Sequence, residues 1–204
     1  MITYQVDMDD LLKIESVLKM TKDKSKMVLR GALNETAKDV RNLLADEAAK
    51  VYVMKRNKFF KHMVIDKAKV SNLVATVHSS GRVNELYDFK VSPYRFQPRN
   101  KPPHHKGKVV KQNAMKELIL KPGTAGDQYK AFVVRYRSGH ITIGQRVPGK
   151  RMKSKPEKEF VKTLLSPSIP GMLGDEKRVY GIVAPKIEDI LAEHVRTQIE
   201  KFLG

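Results

Sequence analysis

Between residues 29 and 51 apolar side chains recur at the spacing of one helix face. Leu29, Leu33, Ala37, Val40, Leu44, Ala48 and Val51 follow one another at steps of three and four. Arg30, Glu35, Lys38, Asp39, Arg41, Asp46, Glu47 and Lys50 fill the other faces. Residues at these steps lie over one another on a helix, so the pattern predicts one long helix. Gly31 lowers local propensity by up to about 1 kcal/mol, too little to stop so long a pattern. The stripe reads as a core face, and its 3-4 spacing also suits a helix–helix contact between subunits. A second stripe, Ile187, Leu191, Val195, Ile199 and Phe202, predicts a C-terminal helix. Pro185 fits its first turn, and Glu188 and Asp189 suit its N-terminal dipole. A shorter helix is expected from Asp9 or Asp10 to about Met20, after an edge strand or irregular end over Met1–Val6.

The middle of the chain changes period. Val64–Lys69 and Leu73–His78 read as two strands joined at Ser71-Asn72. Leu86–Val91 reads as a third, closed by Ser92-Pro93. Tyr94–Val109 holds Pro98, Pro102, Pro103 and Gly107 with few apolar residues, so a mobile basic loop is expected. Lys116–Lys121 reads as a short strand. The clearest hairpin spans Ala131–Val147, with Ser138-Gly139 at its turn. Another basic loop is expected over 148–157. The class is α+β: a long N-terminal amphipathic helix and a C-terminal helix packed on a mainly antiparallel sheet, with extended basic loops. The 204 residues are read as one domain. Its parts are an arm with a short helix (1–26), the long helix (27–54), a basic β region with loops 94–111 and 148–157 (55–157), and a helical C-terminal part (158–204).

Charge sharpens this division. Forty Lys and Arg face 22 Asp and Glu, net +18, yet 41% of residues are hydrophobic, enough for a folded core. Residues 1–50 and 158–204 each sum to zero, so the whole excess lies between Val51 and Glu157. A cationic middle faces something anionic: nucleic acid, a membrane surface or an acidic protein. The chain has no Cys, which removes disulfides and thiolate chemistry. No apolar run reaches membrane-span length, and the acidic start argues against a secretory signal.

Enzyme signatures are missing: there is no Gly-rich phosphate loop, no G-x-S-x-G and no H-E-x-x-H. His104 and His105 are adjacent, but their side chains point apart on an extended chain, and no nearby carboxylate or Cys completes a metal site. The six acidic residues between Val51 and Glu157 are too scattered for a two-carboxylate or Mg²⁺ centre. No catalytic residue, metal or cofactor is expected, and the chain is not expected to be an enzyme. Phosphate contact is the chemistry the residues offer. The candidates are Lys55, Arg56 and Lys58 after the long helix, Arg99, Lys101, Lys106 and Lys108 in the first loop, and Lys150, Arg151, Lys153 and Lys155 in the second. Phe59, Phe60, Tyr94 and Phe96 lie among basic residues, either as base-stacking platforms or, for Phe59 and Phe60, as core at the helix-to-sheet junction.

The order of the pieces points further. The long helix ends in Val53-Met54-Lys55-Arg56-Asn57-Lys58-Phe59-Phe60. Polar strands lead to Gly81-Arg82 and Leu86-Tyr87-Asp88-Phe89-Lys90-Val91. Ala131-Phe132-Val133-Val134-Arg135 and Ser138 to Lys150 follow, including Gln145-Arg146-Val147-Pro148-Gly149-Lys150. Ser166-Pro167-Ser168-Ile169-Pro170-Gly171-Met172-Leu173 and a terminal helix complete the series. This arrangement resembles the prophage minor tail protein Z family, the tail completion proteins of long-tailed bacteriophages, from about Leu29 to Leu203. The resemblance implies a structural virion protein of the tail neck, assembled in the host bacterial cytoplasm. It would form a ring of its own copies, commonly six-fold, at the head-proximal end of the tail. Tail terminator or tail tube proteins, head-tail connector proteins and the end of the phage DNA would be its partners, with no membrane involved. Leu29, Leu33, Val40, Leu44, Ile169 and Met172 are then candidate subunit-interface residues. The cationic segment either lines the lumen and holds DNA or docks on an acidic neighbouring ring. A non-sequence-specific nucleic-acid-binding protein is the alternative.

Overall fold

The computed structural model describes residues 2–5, 22–96, 104–120 and 129–203. The helix expected up to Met20 lies outside them, as do Arg99 and Lys101. The class is α+β, with the long helix and the C-terminal helix both present. The chain divides into two compact units. The first comprises residues 1–50, 55–81 and 169–204, the second residues 51–54 and 82–168.

In the first unit, β1 (Ile2–Gln5), β2 (Met63–Asp66) and β3 (Val74–Ser79) form an antiparallel sheet with β3 in the centre. Helix α1 (Lys22–Val51) buries Leu29, Leu33, Ala37, Val40, Leu44 and Ala48 as the period requires. Val28, Ala32 and Ala45 are buried beside them, so the buried face is broader than one stripe. Asn34 on α1 ties down the β2–β3 connection: its Nδ2 donates to Ala68 O (3.2 Å) and its Oδ1 accepts from Ala68 N (2.8 Å). Helix α2 (Arg56–Lys61) buries Phe59 completely. Helices α3 (Ile169–Leu173), α4 (Tyr180–Val183) and α5 (Ile187–Leu203) complete the unit. A 3-10 turn over Ala184–Lys186 carries Pro185 just ahead of α5. His194 of α5 approaches Asp39 of α1 at 2.8 Å.

The second unit is built from small antiparallel sheets: β4 (Asn84–Glu85) with β13 (Leu165–Ser166); β5 (Lys90–Ser92), β6 (Lys106–Lys108) and β7 (Lys116–Glu117); β8 (Ile119–Leu120) with β9 (Tyr129–Lys130); and β10 (Phe132–Arg135), β11 (Ile141–Met152) and β12 (Lys155–Thr163). Backbone bonds stitch them together, Leu86 N to Leu164 O (2.8 Å), Leu164 N to Ile143 O (2.9 Å) and Ala131 N to Leu118 O (2.9 Å). Their shared core is Leu86, Val91, Ala131 and Ile143, flanked by Tyr87, Val109, Leu118 and Leu164. Val53 N donates to Val109 O, and Lys111 N to Val51 O, each at 2.8 Å.

Three expectations change. Leu86–Val91 is not one strand: Leu86–Asp88 is a 3-10 turn that points Leu86 into the core, and pairing begins at Lys90. The basic stretch ending at Val109 contains a central strand, β6, where Gly107 is covered by Leu118 and Leu86. A Cβ on Gly107 would stand 3.3 Å from Leu118 Cδ1. The stretch 148–157 is no loop but the outer part of a hairpin turning at Lys153-Ser154.

Candidate functional site

The cationic candidates fall into separate groups. Lys55 and Lys58 are exposed on the first unit, around α2. Arg56 beside them is engaged: its Nε pairs with Asp46 Oδ1 (2.5 Å) and its Nη2 donates to Asn42 Oδ1 (3.1 Å). Phe59 is core. The Arg41 guanidinium lies 3.9 Å from the Phe60 ring centroid and that of Arg56 5.5 Å. Phe60 is therefore a guanidinium-covered ring rather than an open stacking platform.

The candidates Lys106, Lys108, Lys150, Arg151, Lys153 and Lys155 belong to the second unit. That unit holds 20 Lys and Arg against 6 Asp and Glu, net +14, leaving +4 for the first. On the β5–β6–β7 sheet, alternation puts Lys90, Ser92, Lys106, Lys108 and Glu117 on one face. Lys90 stands directly opposite Lys108, a like-charge pair that destabilises an antiparallel sheet. Lys108 Nζ donates to Lys111 O at 2.7 Å, and Lys106 Nζ is 3.8 Å from Glu117. Beside this sheet Tyr94 is 56% exposed, stacked on Tyr87 with centroids 4.5 Å apart, and Phe96 is 42% exposed.

The β11–β12 hairpin carries a further concentration of charge. β10 covers only Ile141–Gly144 of β11, and beyond that β11 pairs with β12 alone. From Arg146 outward most residues of both strands are exposed. The ladder is interrupted between Arg146 and Arg151 and again between Arg151 and Met152. Pro148 lies in the first interruption, Pro156 in the segment facing the second, and Gly149 takes φ +71°. Prolines sit where no ladder donor is required. Their presence is also what disguised the hairpin in sequence; the signal available was the Lys153-Ser154 turn between Met152 and the Phe160-Val161 pair. Residues 146–158 hold six basic side chains against one acidic, net +5. Lys150 Nζ lies 4.5 Å from the Phe160 ring centroid, and Arg151 Nη1 is 3.5 Å from Glu157 O. Lys153, Lys155 and Lys158 are exposed and pair with no acid among the described residues.

The perturbed groups of this unit are held to backbone carbonyls. His105 is 3% exposed, and its Nδ1 donates to Pro93 O at 2.8 Å. Burial, partly opposed by that bond, lowers its pKa below 6.5. Tyr87 donates to Tyr94 O at 2.8 Å. Burial first, then its Tyr94 neighbour, pushes this phenol up to about 12. Sequence reasoning gave neither residue a role; both hold the loop entering β6.

The proposed subunit-interface residues require correction. Leu29, Leu33, Val40, Leu44, Ile169 and Met172 are each at most 2% exposed in the single chain. A side chain already covered by its own fold offers no area to a second copy, so the core reading of the stripe holds. A different apolar patch, missed in sequence, surrounds Glu85. His140 Nε2 sits 3.1 Å from both Glu85 oxygens, Tyr136 stacks on His140, and Leu165 lies opposite Glu85 in the ladder. Val83 (57% exposed), Leu165 (55%) and Tyr136 (41%) make its apolar surface. No family model, curated protein or solved structure matches the chain.

Proposed function

We propose that the chain is a structural tail completion protein of the prophage minor tail protein Z type, acting at the head-proximal end of a bacteriophage tail. The observation that carries the reading is the ordered series of segments described above, from the long helix through Gln145–Lys150 and Ser166–Leu173 to the terminal helix. Its α+β class, with both helices present, is compatible with that series. Concentration of +14 in one unit suits a surface that meets anionic neighbours. In this reading the ring contact is made by the Val83, Leu165 and Tyr136 patch, since the α1 stripe, Ile169 and Met172 are internal. An apolar surface rimmed by polar groups suits burial against another subunit.

Negative-stain imaging of the protein alone and mixed with purified tails tests the reading. Rings, or protein capping one end of each tail, are the expected result. Val83→Ser/Leu165→Thr should abolish rings and capping while leaving the unfolding free energy in urea within about 0.5 kcal/mol, as for exposed positions generally. A uniform monomer that never associates with tails overturns the proposal. The alternative, a nucleic-acid-binding monomer or dimer, is favoured by the cationic hairpin and requires no ring.

A further inference from the structure

The outer part of the β11–β12 hairpin is an arm with an unusual surface. From Arg146 to Met152 it is a two-stranded ribbon interrupted by two bulges, so that its paired positions span about 10 Å at the usual strand rise. It bears Arg146, Lys150, Arg151, Lys153, Lys155 and Lys158 against Glu157 alone. The large exposed hydrophobic side chains of the described residues all lie elsewhere. Protein–protein interfaces take their energy from apolar and aromatic anchors and are poor in lysine. This arm has the opposite composition, which is the composition phosphates select.

We propose that the arm binds duplex DNA, lying in the major groove with its lysines on the flanking phosphates. An antiparallel two-stranded ribbon fits the B-form major groove, about 12 Å wide. The major groove of A-form RNA is too narrow and deep for it. Single strands are bound by stacking on open aromatic faces, and Phe160, the aromatic of the arm, is covered by Lys150. Base edges are read chiefly by Arg or Lys on guanine and by Asn or Gln on adenine, and here the lysines are taken up by phosphates. Residues 146–158 contain no Asn or Gln, and of their two Arg, Arg146 lies over the Phe132 ring and Arg151 faces its own backbone at Glu157. The contact is therefore with the backbone and independent of sequence. This deepens the neck reading by naming a partner for the cationic surface, and rests on it only for the origin of the DNA.

Fluorescence anisotropy of the full chain with a labelled DNA duplex two helical turns long tests the arm, from about 50 to 200 mM salt. Wild type should bind, with affinity falling linearly on a log–log salt plot. Lys153→Glu/Lys155→Glu/Lys158→Glu should weaken binding at least tenfold at about 100 mM salt and reduce the slope by about 2 to 3, roughly 0.9 per phosphate contact. Its urea midpoint should not move, because these side chains are exposed. A control with the same charge change on the other unit, Lys177→Glu/Lys186→Glu/Lys201→Glu, should lose less than about threefold. An RNA duplex and a single strand of equal length should bind at least tenfold more weakly than the DNA duplex. The proposal is overturned by no duplex binding at the lowest salt, by equal losses in the two variants, or by RNA or single strands binding as well as the DNA duplex. Displacement of the duplex by polyglutamate at equal charge concentration would assign the arm to an acidic protein instead. None of these outcomes depends on ring formation, so the arm and the neck reading fail separately.

Discussion

His105 shows how one side chain anchors a segment with almost no apolar pattern. Its ring is buried, which favours the neutral imidazole, and the bond from its Nδ1 to Pro93 O only partly opposes that preference. With the folded pKa below the ordinary 6.5, the unfolded chain takes up a proton first as pH falls. The stabilisation is complete above 6.5 and is lost as pH drops through the window beneath it. The urea midpoint should therefore be lower at about pH 5.5 than at about pH 7.5. His78, His140 and His194 also face carboxylates, so the informative quantity is a difference between proteins. His105→Asn, which retains a donor for Pro93 O, should show a smaller shift in midpoint between the two pH values than wild type. An equal or larger shift in the variant would remove His105 from the account.

Individual elements differ in how far their own residues specify them. Helix α1 was legible because a 3.6-residue period needs no knowledge of the partner surface, and the turn at Ser138-Gly139 because Gly139 adopts φ +82°. The core status of the stripe follows from burial: Leu33→Ala should cost about 2–5 kcal/mol in urea denaturation. Below the lowered melting temperature, tail capping should be unchanged. Loss of capping with unchanged stability would return Leu33 to an interface. The strand Lys106-Gly107-Lys108 has no readable period, since what holds it is Leu118 and Leu86 closing over a residue without a Cβ. The arm was hidden by Pro148 and Pro156, which read as loop in sequence but occupy ladder interruptions in space. The exposed patch at Glu85 joins residues far apart in the chain, Glu85 and Leu165 being 80 positions apart, a proximity that only the fold creates. For the candidate residues 150–155, sequence located the charge but read its carrier, a hairpin, as a loop.

At the scale of the whole molecule, charge segregation sets the conditions for self-assembly. Each copy carries +18, of which +14 belongs to the second unit. Six copies in a ring would sum to about +108. The proposed ring contact, around Val83 and Leu165, lies in that same cationic unit. Subunits approaching through it repel one another over the Debye length, about 10 Å at 0.1 M salt and about 3 Å at 1 M. An apolar patch must then overcome a repulsion that salt or a polyanion removes. The purified protein should be monomeric in about 50 mM salt and associate as salt approaches about 1 M, where screening is nearly complete. At low salt, a stoichiometric amount of short DNA duplex should have the same effect by neutralising the arms. Mass photometry across the two titrations reads both. Association that is strongest at low salt without DNA would mean that complementary charges, not the apolar patch, join the subunits. DNA binding that leaves the monomer intact at every salt concentration would separate the arm from assembly and favour the nucleic-acid-binding alternative.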